Sequence, residues 1–382
     1  MSSSPSNNDA GPGKERVKTK RLASKQVLSK SQQTDDEEKR LPNVGLRASV
    51  REVAAAADVS IGTVSRYLNG HSLLQETRVK VEQAIRKTQY EKIPSTIIPK
   101  AKKTLIIGAV FPNFDLFHAN MLSFLEKLLH LQGYHVMASD YEHEESTMKE
   151  KISLLRSRGV DGIVCSPVKS TFSVLRGNIV TGLPVVTLNN RVDAWGNDHV
   201  GVDDRIAMEL AVKYLLDMGH NRVAIIGGDP GTTTGWNRLQ GYRDALRIAG
   251  IAERREYMTG GYWPSGIGSI DQVKGLFQMK SPPSAIVAAN YKLGYNVLRY
   301  CRNNGLRIPD DISVISFDDT DLFEVHNPPI TVIRQPIDQI AEEVVRLLFQ
   351  RIGGNYETYP ELGTISTEMI LRESVKKVRH DT

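Results

Sequence analysis

Along the 382-residue chain the apolar positions fall into distinct regimes. Residues 1–46 keep no apolar period. Ser, Asn, Gln, Lys and Gly dominate there, with a mixed-charge run from Asp35 to Arg40. Such a stretch buries too little apolar surface to offset its ordering entropy, which predicts a disordered tail. Residues 47–90 show short helical periods separated by brief breaks, with no strand alternation. Residues 91–104, holding Pro94, Pro99, Lys100, Lys102 and Lys103, read as a hinge linker. From 105 to 374 the pattern changes to apolar, β-branched runs (Leu105–Phe111, Val160–Cys165, Val185–Leu188, Val223–Ile226, Ala285–Ala288, Ile312–Ser316). Between them lie segments of helical period: Phe117–Gln132, Ile206–Met218, Arg238–Ala249, Tyr291–Asn304 and Pro336–Arg351. Strands buried on both faces with crossover helices between them predict a doubly wound parallel sheet. About 270 residues is too long for one such sheet, so two similar α/β lobes are expected. Residues 375–382 form a short tail without heptads.

The helical stretch 47–90 has a legible internal logic. Ser49 is a good N-cap, and Glu52 three residues later completes a capping box. Val50, Val53, Ala54 and Ala57 then share one face, and Asp58 can end the helix in a left-handed conformation. Ser60 caps a second helix with Val64, Tyr67 and Leu68 inward and Ile61, Gly62, Ser65 and Arg66 outward. A third helix, roughly Glu76–Thr88, offers Val79, Val81 and Ile85 to a small core. Two short helices joined by a turn of about four residues make a helix-turn-helix, whose second helix enters a DNA major groove.

Charge supports this division. Residues 1–104 carry 20 Lys/Arg against 11 Asp/Glu, whereas the rest carry 29 against 33. A basic front on a mildly acidic body suits a polyanionic partner for the front alone. The Lys14–Arg21 cluster adds weak phosphate attraction or merely solubility. Two cysteines, Cys165 and Cys301, each inside an apolar run, read as packed thiols of a reducing compartment, the cytoplasm. No run reaches the ~20 apolar residues of a membrane span, and Met1–Gly13 lacks the apolar core of a secretory signal.

The run Val53-Ala54…Ala57-Asp58-Val59-Ser60…Thr63-Val64-Ser65-Arg66…Leu68-Asn69, continued by Glu76-Thr77-Arg78…Val81…Ala84-Ile85…Tyr90, resembles the LacI/GalR family of bacterial transcriptional regulators. The resemblance extends over 49–374. In the body it rests on Gly159–Ile163, Gly201–Asp204, Met218–Ala224, Arg238–Tyr242, Ile308–Val314, Phe317–Asp319, Gln335-Pro336 and Leu371–Ser374. It implies a small all-α headpiece followed by a two-lobed, periplasmic-binding-protein-like α/β core, with chain crossings near 190–203, 329–336 and 360–366. It also implies that Ile61, Gly62 and Arg66 read bases, while Ser49, Ser60, Thr63, Ser65 and Asn69 anchor to phosphates. The chemistry agrees, since short hydroxyls at helix N-termini hold phosphate oxygens and Arg66 can reach guanine O6 and N7 together. Two departures from the family pattern stand out. The loop Gly70–Gln75 is one residue short, and Pro99 occupies the place of a minor-groove wedge in the hinge, where Pro94 and Pro99 interrupt a helix. Ile97 or Ile98 is then the alternative wedge.

A ligand is expected between the lobes, at carboxyl ends of strands. The resemblance places Arg238 and Asp318 as a pair gripping effector hydroxyls or carboxylates, Trp263 as a stacking platform, and Phe117 nearby. Asn189 and Asn290 end apolar strands, where an amide both donates and accepts. Trp236 stands where several relatives carry a second Arg, which argues against strongly anionic effectors. His220 is expected to cap a helix C-terminus, and the nine histidines show no metal-ligand spacing. Gly227–Gly231 lacks the Lys-Ser/Thr of a P-loop, and Asp318-Asp319 lacks a partnering nucleophile. The expectation is therefore a non-enzymatic, cytoplasmic, homodimeric DNA-binding regulator of repressor type, without cofactor or metal. Its operator affinity would answer a sugar or sugar derivative. A sugar-binding receptor or a sugar-metabolising enzyme of doubly wound type is the alternative. The first would need an export signal and no helix-turn-helix, the second a G-x-G-x-x-G or P-loop signature.

Overall fold

The computed structural model describes residues 50–68, 73–88, 103–168, 183–191, 197–260 and 270–378. The tail 1–46, Ser49, Asn69, nearly all of the linker 91–104, Trp263 and residues 379–382 lie outside the described residues.

The headpiece is three helices, α1 (Val50–Ala57), α2 (Ile61–Leu68) and α3 (Gln75–Lys87). Val53, Ala54, Ala57, Val64, Val81 and Ala84 form its core. Asp58 ends α1 at φ +52°, the left-handed turn its short polar side chain tolerates. The Ser60 Oγ accepts from the Thr63 N–H at 3.1 Å and so caps α2. Two expectations change here. Val79 is exposed, Ala84 taking the core place on α3 instead, and Ile61 is half-buried against the core rather than fully outward.

The body is built from two six-stranded sheets. The first contains β1 (Ile106–Phe111), β2 (His135–Asp140), β3 (Gly162–Cys165), β4 (Val185–Leu188), β5 (Asp198–Val202) and β11 (Leu362–Ile365), in the order β11-β5-β4-β3-β1-β2 and parallel throughout. The second contains β6 (Val223–Gly227), β7 (Met258–Gly260), β8 (Ala285–Ala288), β9 (Ser313–Phe317), β10 (Thr331–Arg334) and β12 (Glu368–Ile370). Its order β12-β10-β9-β8-β6-β7 repeats the first, except that β12 runs antiparallel to β10.

Alternation along β1 distributes the first lobe's core over both faces. Ile107, Ala109 and Phe111 meet Phe117, Met121, Leu125 and Leu129 of α4 (Leu116–His130), together with Ile340, Val344 and Leu348 of α11 (Ile337–Ile352). Val110 meets Met148, Ile152 and Leu155 of α5 (Glu145–Ser157) on the other face. In the second lobe, α6 (Asp204–Asp217), α7 (Thr233–Ile248), α8 (Ile270–Phe277) and α9 (Tyr291–Asn303) enclose one core. Gly241 lets α6 and α7 approach closely, because a Cβ there would stand 2.1 Å from the Arg205 carbonyl oxygen.

The chain passes between lobes at Asp203, at 335–336 and at 366–367. The first expected crossing region contains a whole strand of its own, β5, and the third contains β11. The helix expected at Arg238 begins five residues earlier, at Thr233, where Thr232 caps it through the Gly235 N–H at 3.2 Å. His220 caps the helix end as expected, through its backbone. The backbone N–H of His220 bonds the Leu215 carbonyl at the end of α6, while its buried ring lies 3.0 Å from Ser284 Oγ and 3.1 Å from the Lys376 carbonyl. The ring therefore ties down the C-terminal segment. No described helix is long and apolar enough to cross a membrane.

Candidate DNA interface and effector cleft

On the headpiece, Ser60 and Thr63 stand together at the N-terminus of α2, their hydroxyl oxygens 2.8 Å apart. Gly62 follows Ile61 on the first turn, and Arg66 lies exposed one turn later. Ser65 belongs to the same helix, and its side chain lies outside the described residues. Exposed N–H groups, two hydroxyls and a guanidinium are thus presented within one and a half turns, a surface suited to phosphate oxygens and a base edge. Behind it, the Glu82 carboxylate takes Tyr67 Oη at 2.9 Å and Arg78 Nε at 2.9 Å, bracing α2 on α3.

The cleft is assembled from residues that follow strand ends. An open cleft is lined by Leu116, Phe117 and Asn120 after β1, by Ile337 of α11, and by Tyr291, Asp318, Asp319, Thr320, Arg334 and Gln335 of the second lobe. A second cavity, beginning at the neighbouring Asn290, is lined by Gly228, Asp229, Thr232, Thr234, Gly235, Arg238, Ala289 and Asn290. Polar contacts join the lobes beside these spaces. The Leu116 N–H donates to Tyr291 Oη (3.2 Å), and Lys292 Nζ lies 2.8 Å from Asp115. Thr234 Oγ1 donates to Asn190 Oδ1 (2.9 Å), and the Arg191 N–H donates to Thr233 Oγ1 (2.8 Å).

Of the residues named from sequence, Phe117 and Asp318 line the first cavity, and Arg238 and Asn290 the second. Asn189 lines neither. It turns left-handed at φ +63° after β4, as Asp318 does at +67° after β9, and the buried amide in contact with both lobes belongs to its neighbour Asn190. Asn290 caps α9, accepting from the Leu293 N–H at 3.0 Å, so its amide nitrogen is what faces the cavity chemistry.

Arg238 and Asp318 are not hydrogen-bonded partners. Arg238 donates Nε to Asp204 Oδ1 at 2.7 Å and Nη1 to the Ala289 carbonyl, and its guanidinium lies 3.6 Å over the Phe317 ring. Asp318 instead accepts from Gln335 Nε2 at 2.6 Å and from the Tyr291 N–H at 3.3 Å. Burial raises both carboxylates. Asp204 rises from 3.8 to about 6 even with the Arg238 cation opposing the shift, and Asp318 rises in the same direction. Burial pushes Asp115 upward as well, but His118 and Lys292 outweigh it and hold that carboxyl well below the ordinary range. Asp319 turns away from Asp318 to Arg334 and Arg372, so the two adjacent carboxylates do not form a pair.

Sequence reasoning missed Asp204, Asn190, Tyr291, Lys292 and Gln335. Asp204 follows Asp203, which caps α6 through the Ile206 N–H at 3.0 Å, so a carboxylate at the next position also suits the helix N-terminus. Nothing local pairs it with an arginine 34 positions away. The raised Asp204 carboxyl has a measurable consequence. Between pH about 4 and 6 the native state keeps a proton that the unfolded chain releases, so stability falls as pH rises through this window. Relative to Asp204→Asn, the wild type is expected to lose up to about 3 kcal/mol of unfolding free energy from pH 4 to 7, as two pKa units imply. Parallel stability curves for the two proteins would show that the carboxyl ionises normally.

Comparison with known proteins agrees with both halves. Residues 49–92 match the description "Bacterial regulatory proteins, lacI family", and 212–375 match "Periplasmic binding protein-like domain". The chain is 30% identical over 341 residues to the probable HTH-type transcriptional regulator EndR of Paenibacillus polymyxa, covering 86% of this chain and 99% of that protein. It is 30% identical over 311 residues to the HTH-type transcriptional repressor CytR of Escherichia coli K12, covering 81% and 91%. Among solved structures, the transcriptional regulator CelR–cellobiose complex superposes with a TM-score of 0.63 at 26% identity, covering 86% of this chain and all of that one. The lac repressor dimer bound to operator and the anti-inducer ONPF superposes at 0.64 with 22% identity, covering 87% and all of it, a likeness of fold. The chain therefore belongs to the LacI family of bacterial regulatory proteins, DNA-binding transcriptional regulators under metabolite control.

Proposed function

We propose that α2 reads the operator and that the cleft between the lobes is the effector site. The observation that carries the first half is the Ser60–Thr63 cap beside the exposed Arg66 on a helix whose Val64 is buried in the headpiece core. In this reading Ser49, Ser60, Thr63, Ser65 and Asn69 hold phosphates, and Ile61, Gly62 and Arg66 face bases. Gly62 has no side chain to read with, so discrimination falls to Arg66 at a guanine and to Ile61 against a thymine methyl. A homodimer sets two such helices in successive major grooves of a pseudo-palindrome.

The effector is a sugar or sugar derivative held by Asp318, Arg238, Asn290 and Phe117, with Trp263 as a further contact. The cellobiose complex of the similar CelR favours that class. Closure of the lobes on it changes the spacing of the paired linkers and so the operator affinity. The protein works in the cytoplasm as a regulator, not as an enzyme. Arg66→Ala tests the reader. Its loss is expected to be about 1–3 kcal/mol, concentrated at one operator base pair. An equal loss on every sequence in a base-substituted operator series would remove Arg66 from that role.

A further inference from the structure

The inference rests on the cleft being the effector site, and concerns which ligands that site admits. Every cation lining the two described cavities is already held by a carboxylate. Arg238 donates to Asp204 at 2.7 Å, with both side chains at or below 10% exposure. Arg334 donates Nε and Nη2 to Asp319 at 3.1 and 2.8 Å. At the mouth, Lys292 meets Asp115 at 2.8 Å. Two carboxylates remain without a cationic hydrogen-bond partner among the described residues. One is Asp318, served only by the Gln335 amide and the Tyr291 N–H; the other is Asp229, which accepts from the Gly231 N–H at 2.8 Å.

We propose that this cleft selects an uncharged polyhydroxyl ligand, and that Asp204, by neutralising Arg238, is the residue that excludes uronates and sugar phosphates. The donor count leads to the same place as the charge. A carboxylate only accepts hydrogen bonds, so Asp318 and Asp229 require ligand groups that donate. A sugar hydroxyl donates to a carboxylate while accepting from the remaining Arg238 Nη2, forming charge-assisted bonds on both sides. A ligand carboxylate or phosphate supplies acceptors alone and sets like charges together in a partly desolvated space. Without Asp204, the Arg238 guanidinium would be an open anion site. With it, the arginine serves as a neutral-ligand donor.

The test uses the full-length protein and matched ligand pairs at constant ionic strength: glucose with glucuronate, glucose with glucose 6-phosphate, and uridine with uridine monophosphate, alongside cellobiose. Calorimetry and thermal shift are expected to show binding of a neutral member and at least roughly tenfold weaker binding of its anionic counterpart. Inorganic sulfate serves as a probe independent of any sugar. It is expected to raise the melting temperature of Asp204→Asn, but not of the wild type or of Asp204→Asn combined with Arg238→Gln. An anionic member bound by the wild type as tightly as its neutral partner, or no gain of sulfate binding in Asp204→Asn, would overturn the proposal. If no pair of either charge binds the wild type, the effector-site reading fails, while the sulfate comparison still decides what Asp204 does to Arg238. Should the variant not fold, the wild-type pairs decide the selectivity by themselves.

Discussion

Arg351→Ala is expected to remove about 3–5 kcal/mol of stability, a large part of the roughly 5–15 kcal/mol that ordinarily holds a domain folded. The Arg351 and Asp198 side chains are 1% and 0% exposed, and form a fork-to-fork pair at 2.7 and 3.0 Å. Arg351 also donates to the Asn355 carbonyl at 2.6 Å and to Glu361 at 3.3 Å, while Asp198 accepts from the Glu361 N–H at 2.8 Å. One guanidinium thereby joins β5 to the end of α11 and the approach to β11, segments some 150 residues away along the chain. Removing it strands a carboxylate where no water reaches. Pairing Arg351→Met with Asp198→Leu removes both charges and is expected to recover most of the loss, because an apolar pair of similar volume carries no desolvation cost. Urea unfolding of the two single variants and the double variant measures the coupling. A loss below about 1 kcal/mol for Arg351→Ala would show that β5 and β11 are held by strand pairing alone.

The second large effect is ionic. Operator affinity of the dimer is expected to fall by about three to five orders of magnitude between 50 and 200 mM monovalent salt, the response of a protein neutralising some six to ten phosphates. The basic excess lies in the first 104 residues, and Lys80, Arg86 and Lys87 of α3, like Arg66 of α2, are exposed. The body has more acidic than basic residues and cannot supply those contacts. Fluorescence anisotropy on an operator selected from a random duplex library gives the slope directly. A flat response would remove the headpiece from its role as the DNA-binding surface. Lys80→Ala should lower the slope by about 1 if it meets a phosphate, without altering sequence preference.

What could be read in advance divides along a physical line. Central strands such as β1, β3, β6 and β8 are buried on both faces and read as unbroken apolar runs. The edge strand β2 is half-exposed along its length, and β7 has three residues, so neither leaves that imprint. The strands β5 and β11 hide for another reason. Polar Asp198 and His199 are buried in β5 because Arg351 and Thr187 satisfy them, and those partners come from elsewhere in the chain. In the headpiece, capping and period placed the helices within a residue or two. Val79 was misplaced because three short helices bury a stripe too narrow for every apolar side chain on α3.

The family resemblance, then, marked Arg238, Asp318 and Phe117, whereas local chemistry determined the headpiece helices, the central strands and Asn290 at a strand end. Such features follow from neighbours within a turn or a pleat, and the linear order of residues contains them. Only tertiary structure decided that Asp204 rather than Asp318 takes the Arg238 guanidinium, that Asn190 rather than Asn189 touches the opposite lobe, and that Gln335 holds Asp318. Each of those pairings joins residues from separate elements brought together by the folding of two sheets. The charge balance of the cleft, and hence its choice of ligand, exists only once those distances close.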